Sequence, residues 1–131
     1  MIKPSGETVL LYNMDNEKGR KLKMLMVRMG MRIRVIDKTD YSKPVGLLAG
    51  LKDITLENPN AEVQDFDDEM MVMRGFTSHR IDLFLQSMRK EGIAKINYKA
   101  VLTPSNARWN SWQLYQELKQ EHEEMTQAKS E

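Results

Sequence analysis

Side chains that can bind a charged ligand follow several apolar runs of the chain, at the point where each run ends. One arginine and a group of small or polar residues make up this set: Asn13, Arg74, Gly75, Thr103, Ser105 and Asn106. Arginine offers a forked cation that fits phosphate or carboxylate, and the amides that begin a helix also favour an anion. The set therefore indicates a site for a small anionic ligand. Because the same residue types serve turns and helix caps, backbone geometry is the competing interpretation.

Catalytic and metal-binding patterns are missing from the sequence. The chain has no cysteine, which excludes disulfides, a cysteine nucleophile and zinc fingers. It also contains no Gly-x-Ser-x-Gly elbow, Walker loop or dinucleotide-binding glycine pattern. Four methionines between positions 24 and 31 invite a copper site, but Met24 and Met26 point to different faces of a helix. His79 and His122 stand alone. We expect no catalytic residue, no metal and no cofactor, and an enzyme is disfavoured.

The net charge of +1 conceals three regions of different sign. Residues 1–51 hold ten Lys or Arg and five Asp or Glu, residues 52–70 hold one and seven, and residues 71–131 hold nine and seven. The acidic stretch contains few large apolar residues. We therefore expect residues 53–69 to form a solvated, mobile loop that folds back on the basic first helix or docks to a basic partner. Deleting residues 54–68 is then expected to leave folding nearly intact.

The basic first half also suits a nucleic-acid-binding module, which is an alternative function. Its cations are Lys18, Arg20, Lys21, Lys23, Arg28, Arg32, Arg34 and Lys38. Arg108, Trp109 and Trp112 would be the stacking partners of the bases. Against this hypothesis, the isoelectric point is about 7.9 and aromatic residues are only 7% of the chain. A solvated basic helix face explains the same residues.

Hydrophobic patterning predicts four strands and three main helices. Thr8–Tyr12 and Met70–Met73 are continuously apolar, as strands covered on both faces are, whereas the stretches 32–37 and 96–102 alternate. Helices are expected from Asp15 or Asn16 to Gly30, from Thr77 or Ser78 to Gly92, and from Asn110 or Ser111 onward. Gln113 is placed for a capping box at the start of the last helix, which is expected to fray after about residue 125. Residues 43–51 can form two turns of helix.

The chain is expected to fold as one α/β domain over residues 1–131, built from two β-α-β units and a carboxyl-terminal helix. The stretches 13–30 and 75–92 align at an offset of 62 residues, which pairs Leu22 with Phe84 and Met26 with Met88. A parallel sheet of order 2-1-3-4 with helices on both faces is favoured, because the link between strands two and three is long enough for a crossover. A ferredoxin-like α+β sheet of order 4-1-3-2 is the alternative.

A protein partner, or a second copy of the chain, is the other expected ligand. Trp109, Trp112 and Tyr115 lie at the start of the last helix, and these are residue types that anchor interfaces. A stripe at helical spacing is also typical of a core. One observation separates the two classes: the ligand hypothesis requires Asn13, Arg74 and residues 103–106 to line one cleft, as they would in a parallel sheet. On opposite edges, they would favour a protein-interaction role.

The opening residues lack the apolar core of a signal peptide, and no apolar run approaches the length of a membrane span. We therefore expect a cytoplasmic protein with no membrane attachment.

Three segments of the second half carry a more specific pattern. They are Met71-Val-Met-Arg-Gly-Phe76, then Lys99-Ala-Val-Leu-Thr-Pro-Ser-Asn106 followed by Trp109, and Glu117-Leu-Lys-Gln-Glu-His122. On these segments the chain resembles a family of small bacterial proteins classed only as a domain of unknown function. The resemblance covers mainly residues 70–125, and more loosely the first strand and helix. It implies no activity, cofactor or catalytic residue, so the best prediction is a non-catalytic binding module for a small anion or a protein partner.

Overall fold

The computed structural model describes residues 6–130, without the side chains of 128–130. This range excludes residues 1–5, which are most of the opening stretch that lacks a signal-peptide pattern. It also excludes residue 131, at the end of the tail that is expected to fray. Four strands and four helices follow one another along the chain: β1 Thr8–Tyr12, α1 Glu17–Arg28, β2 Arg32–Val35, α2 Val45–Leu48, β3 Met70–Arg74, α3 Ser78–Lys90, β4 Tyr98–Val101 and α4 Ser111–Ser130. Two short 3-10 turns lie at Lys38–Asp40 and Asn106–Arg108.

The helices begin at the caps that the sequence indicates. The side chain of Asn16 accepts from the amide of Gly19, and the hydroxyl of Thr77 accepts from the amide of Arg80. These bonds satisfy amides that have no partner within the helix. At α4, the amide of Gln113 donates to Asn110 Oδ1 at 2.8 Å, and Gln113 Oε1 accepts from the Asn110 amide at 2.9 Å. The capping box predicted for this helix is confirmed.

The four strands form one sheet in the order β2-β1-β3-β4. This confirms the α/β class and the predicted 2-1-3-4 order, and it excludes the ferredoxin-like order. The strand directions differ from the prediction, however. β1 runs parallel to β2, and β3 runs parallel to β4, but the central pair β1 and β3 is antiparallel, with Thr8 opposite Arg74 and Tyr12 opposite Met70. The sheet is therefore mixed, and the expectation that all strands are parallel is wrong.

The connection from β2 to β3 explains the antiparallel centre. It runs through α2 to Gly50, which lies beside Arg74 at one edge of the sheet. It then returns along α4 to Phe66, whose carbonyl accepts from Asn13 at the opposite edge. Because the connection crosses the sheet and comes back, β3 begins beside the end of β1 and must run against it. A parallel β3 would have required a single crossing.

The two β-α-β units are related by an approximate twofold axis. Leu10 and Val72, which are 62 positions apart, face each other in the register of β1 and β3. The offset seen in the sequence therefore corresponds to a rotation about an axis that passes between these two residues. Residues of α1 and α3, including Leu22 and Phe84, belong to one core cluster, so the two helices cover the same face of the sheet.

Helices and loops cover both faces of the sheet. On one face, Val9, Leu11, Met71 and Met73 pack against α1 and α3 and form what we call the first core. On the other face, Leu10, Tyr12, Met70 and Val72 pack against α2, α4 and Phe66 and form the second core. The central strands are thus buried on both sides, which is the physical reason why their sequences are apolar throughout. Among the described residues, no helix has both the length and the apolar character that crossing a membrane requires.

Candidate functional site

Asn13 follows β1 in a left-handed conformation, with φ of 60°. Its amide nitrogen donates to the carbonyl oxygens of Phe66 at 2.8 Å and Asp68 at 3.0 Å, and its side-chain oxygen accepts from the Tyr41 hydroxyl at 3.4 Å. Asparagine tolerates this backbone conformation better than most residues. Asn13 therefore anchors the end of the acidic segment to the sheet, and its polar atoms are engaged within the chain.

Arg74 and Gly75 lie at the opposite end of the sheet from Asn13, where strands β3 and β4 finish. The antiparallel centre of the sheet separates them from Asn13 by the full length of the strands. Gly75 has φ of 81°, and a Cβ built there would lie 2.7 Å from a backbone carbonyl oxygen. This glycine is required by the close approach of the chain to the start of β1. The single cleft expected from a parallel sheet does not form, because its members lie at opposite ends of the strands. By the criterion stated for the sequence, this division favours a protein-interaction role, and a ligand site limited to the end that holds Arg74 needs support of its own.

Thr103, Ser105 and Asn106 lie on the same edge as Arg74. The amide of Thr103 donates to Asn106 Oδ1 at 2.8 Å, and the amide of Asn106 donates to Thr103 Oγ1 at 3.1 Å. Asn106 also donates to the carbonyl of Val101. This closed turn accounts for Thr103 and Asn106 by backbone geometry alone, whereas Ser105 is exposed and makes no capping bond.

A groove of about 430 Å³ lies beside this turn. Its walls carry two arginines, one threonine and several apolar residues: Leu51, Ile54, Arg74, Thr103, Pro104 and Arg108. We call it the arginine groove. Of the residues predicted to bind a ligand, the structure brings Arg74 and Thr103 together here.

Arg34 reaches the same place from β2. A Cβ built on Gly50, where φ is 94°, would lie 3.2 Å from Nη2 of Arg34 and 3.8 Å from Nη1 of Arg74. The two guanidinium groups thus approach Gly50 together. Arg34 donates to the carbonyl of Leu48 at 3.2 Å and Arg74 to that of Ala49 at 3.3 Å, so both cations lie at the carboxyl end of α2.

No described carboxylate neutralises these arginines. The described ion pairs of the chain involve Lys18, Arg20, Arg28, Lys38, Lys43 and Arg80. Arg34, Arg74 and Arg108 are absent from that set. Each guanidinium carries five N–H donors, and the described hydrogen bonds of each arginine use only one. Donors and positive charge therefore remain for an anion at this edge.

The residues expected to bind a protein partner are largely engaged inside the domain. The indole nitrogen of Trp109 donates to Glu57 at 3.2 Å, and the Trp112 ring is half-buried beside Phe66. Tyr115 is buried, stacks on Phe66 and donates its hydroxyl to Asp68. Burial and this carboxylate both raise the pKa of Tyr115. These side chains close the second core.

The acidic segment is held at several points. Glu69 pairs with Lys18 at 2.7 Å, and Asp67 pairs with Lys38. Nearer the start of the segment, the backbone amide of Glu57 donates to the carbonyl oxygen of Arg108 at 2.9 Å. The segment therefore contacts the first helix only at its end and otherwise follows the start of α4. Most of its side chains are exposed, but Phe66 is buried between aromatic rings, which the charged composition of the segment concealed.

Within residues 6–130, no group of three or more His, Asp or Glu side chains is placed to hold a metal ion.

The chain thus has an α/β fold with a four-stranded mixed sheet and a groove lined by Arg74 and Arg108. Residues 69–125 match the family model described as "Domain of unknown function (DUF3783)". This match confirms the resemblance to a domain-of-unknown-function family for the second half of the chain. Searches of the curated proteins and of the solved structures found no match.

The sequence indicated Arg74 and Thr103 but did not indicate that Arg34, Gly50 and Arg108 belong beside them. In the sequence, Arg34 belongs to the basic first half and Arg108 to the residues that would stack on bases. Their convergence depends on the double crossing of the connection between β2 and β3, which no local pattern encodes. The small residue at position 50 was the one available signal, since it permits two large side chains to approach the backbone.

Proposed function

We propose that the protein is a non-catalytic binding module that takes a small anionic ligand, such as a phosphate ester, in the arginine groove. The observation that carries this proposal is the approach of Arg34 and Arg74 to Gly50, where neither arginine forms an ion pair with a described carboxylate. Arg74 lines the arginine groove itself, and Arg34 lines a neighbouring pocket together with Asp40. Two like charges held near each other repel, and a bound anion would relieve that repulsion. We place the module in the cytoplasm, in keeping with its cysteine-free sequence.

A thermal-shift panel of inorganic phosphate, pyrophosphate, sugar phosphates and nucleotides tests this function. A ligand present at ten times its dissociation constant stabilises the folded state by about 1.4 kcal/mol, which raises the melting temperature by roughly 5 °C in a domain of this size. Arg74→Met should abolish most of the shift. Arg20→Met is the matched control, because Arg20 lies on α1 and pairs with Glu17. A flat panel, or equal shifts in both variants, would contradict the proposal.

Self-association of the chain is the second candidate function, and the carboxyl-terminal half of α4 favours it. Met125 is 62% exposed on this half of the helix, whereas Leu118 and His122 on the same face already pack on the core and on Tyr98. Side chains of both signs, including Lys119 and Glu121, flank the face, so it is complementary to itself in an antiparallel pair. Light scattering should show a dimer that Met125→Glu converts to a monomer. A monomer at all concentrations would exclude this candidate.

Nucleic acid is the remaining alternative, and its support is weaker. Of the eight cations in the basic first half, Lys18, Arg20, Arg28 and Lys38 form ion pairs within the chain. Binding to a phosphate backbone needs uncompensated charge. A gel shift at low salt with generic RNA and DNA should show no retardation at micromolar protein, and a salt-sensitive complex would revive this alternative.

A further inference from the structure

A second pocket, of about 390 Å³, opens on the other face of the sheet, between the end of α3, the loop that follows it and the edge strand β4. Leu85, Met88, Ile93 and Ile96 form its apolar walls. Met88, Ile93 and Ile96 are buried members of the first core, which fixes the shape of the walls. A concave apolar surface of this size is in the range that small molecules occupy in proteins.

The charged groups of this pocket are all positive. Arg89 comes from α3, Lys95 from the loop and Lys99 from β4, and no acidic residue lines the pocket. Two acidic side chains in this part of the chain form ion pairs of their own: Glu91 pairs with Arg28, and Glu69 pairs with Lys18. Lys18 in turn donates to the carbonyl of Lys95 at 3.1 Å, which ties the loop to α1.

Lys99 is the cation closest to the apolar walls. It is half-buried, on the strand face that α3 covers, and its amine donates to the carbonyl of Ile96 at 2.7 Å. Burial and the neighbouring Lys95 lower the pKa of Lys99, as expected for an ammonium group without a counterion. The folded chain thus holds a positive charge against an apolar cavity, and Lys99 forms no described ion pair. Glu117 and Glu121 line a separate pocket that Lys99 also reaches.

We propose that this pocket binds a small molecule that has an apolar body and one anionic head group. The body packs on Met88, Ile93 and Ile96, and the head lies between Lys95 and Lys99. This site is separate from the arginine groove, because the two lie on opposite faces of the sheet and share no lining residue.

Titration of the ¹⁵N-labelled full chain with octanoate tests the proposal, because amide shifts report where the probe binds. We expect shifts concentrated in residues 88–99. Acetate has the carboxylate without the long alkyl chain, and 1-octanol has the alkyl chain without the carboxylate. Both should therefore bind at least about tenfold more weakly than octanoate, which corresponds to about 1.4 kcal/mol of binding free energy. Shifts in residues 103–108 instead, equal binding of 1-octanol, or no shift at millimolar octanoate would overturn the proposal.

Lys99→Met keeps the aliphatic stem and removes the charge. We expect it to weaken octanoate about tenfold, between the effects of an exposed and of a buried charge pair. Lys90→Met is the matched control, since Lys90 is an exposed lysine at the end of α3 that does not line the pocket. Lys95→Met gives a second test if Lys99→Met does not fold. Unchanged octanoate affinity in a folded Lys99 variant, or in the Lys95 variant if that replaces it, would overturn the site. Because Arg74→Met should leave octanoate binding intact, the failure of one site is distinguishable from the failure of the other.

Discussion

Replacing Phe66 with alanine tests whether the acidic segment belongs to the cooperative folded unit. The ring is 6% exposed and stacks between Tyr41, at 4.6 Å between centroids, and Tyr115, at 4.1 Å. The carbonyl of the same residue accepts from Asn13 at 2.8 Å. This one aromatic side chain therefore joins a largely solvated segment to the second core.

The cost of the substitution follows from this burial. An aromatic side chain buries roughly 150 Å² or more, and at about 25 cal/mol per Å² its removal costs nearly 4 kcal/mol before alanine recovers a part. Phenylalanine-to-alanine changes in cores cost about 3–5 kcal/mol, and a segment next to solvent can relax into the cavity. We therefore expect a loss of about 3 kcal/mol. With an unfolding entropy of about 2.1 cal/mol/K for each of the 131 residues, the melting temperature should fall by roughly 11 °C.

Urea unfolding, followed by circular dichroism and by tryptophan fluorescence, measures this loss. Val63→Ala is the control within the same segment, because Val63 is 39% exposed, and we expect it to cost less than about 0.5 kcal/mol. If Phe66→Ala costs no more than Val63→Ala, the segment is not part of the folded unit and the argument from burial is refuted. The structure also revises the expectation for deleting residues 54–68: removal of Phe66 should make that deletion at least as costly as Phe66→Ala.

Three further predictions concern the framework. Arg80 donates twice to the buried Glu7, at 2.7 Å each. Arg80→Met should therefore lower the free energy of unfolding by about 3 kcal/mol, because a buried carboxylate loses two charge-assisted hydrogen bonds, and adding Glu7→Gln should recover part of that loss. Urea unfolding of both variants measures this, and a double variant no more stable than the single one would contradict it. Burial raises the pKa of Tyr12 above its ordinary value of 10.0, so the folded state keeps a proton that the unfolded state loses, and stability should fall as the pH rises above that value, by up to about 1.4 kcal/mol per pH unit. Tyr12→Phe should reduce this alkaline slope of the urea midpoint by the contribution of one proton, and Tyr115, whose pKa is also raised, keeps its own contribution. An unchanged slope would show that Tyr12 does not contribute. Gly75→Ala should lower the free energy of unfolding, measured by calorimetry, by about 1 kcal/mol or more beyond the effect of Gly92→Ala. Both glycines have positive φ, but only a Cβ at position 75 meets a carbonyl oxygen, at 2.7 Å. Equal losses in the two variants would show that the chain shifts freely at position 75.

The local structure of this chain was readable from its sequence because it depends on short-range chemistry. The apolar run of Thr8–Tyr12 is a strand, Asn16 and Thr77 cap helices, and Asn110 with Gln113 forms the predicted box. Each of these features is decided within a few residues, by the period of the apolar positions or by one hydrogen bond to a free amide. The same pattern identified β1 and β3 as central strands and β2 and β4 as edge strands, but it did not decide between the orders 2-1-3-4 and 4-1-3-2, which share those central strands.

Strand direction and the composition of the site were decided only by the tertiary structure. An apolar strand has the same pattern whether its neighbour is parallel or antiparallel, so nothing in β1 or β3 reveals how they pair. The path of the connection between β2 and β3 settles it, and the same path carries Gly50 to Arg34 and Arg74 and sends Asn13 to the opposite edge. The sequence determined which residues could hold an anion, whereas the double crossing of one long connection determined which of them meet.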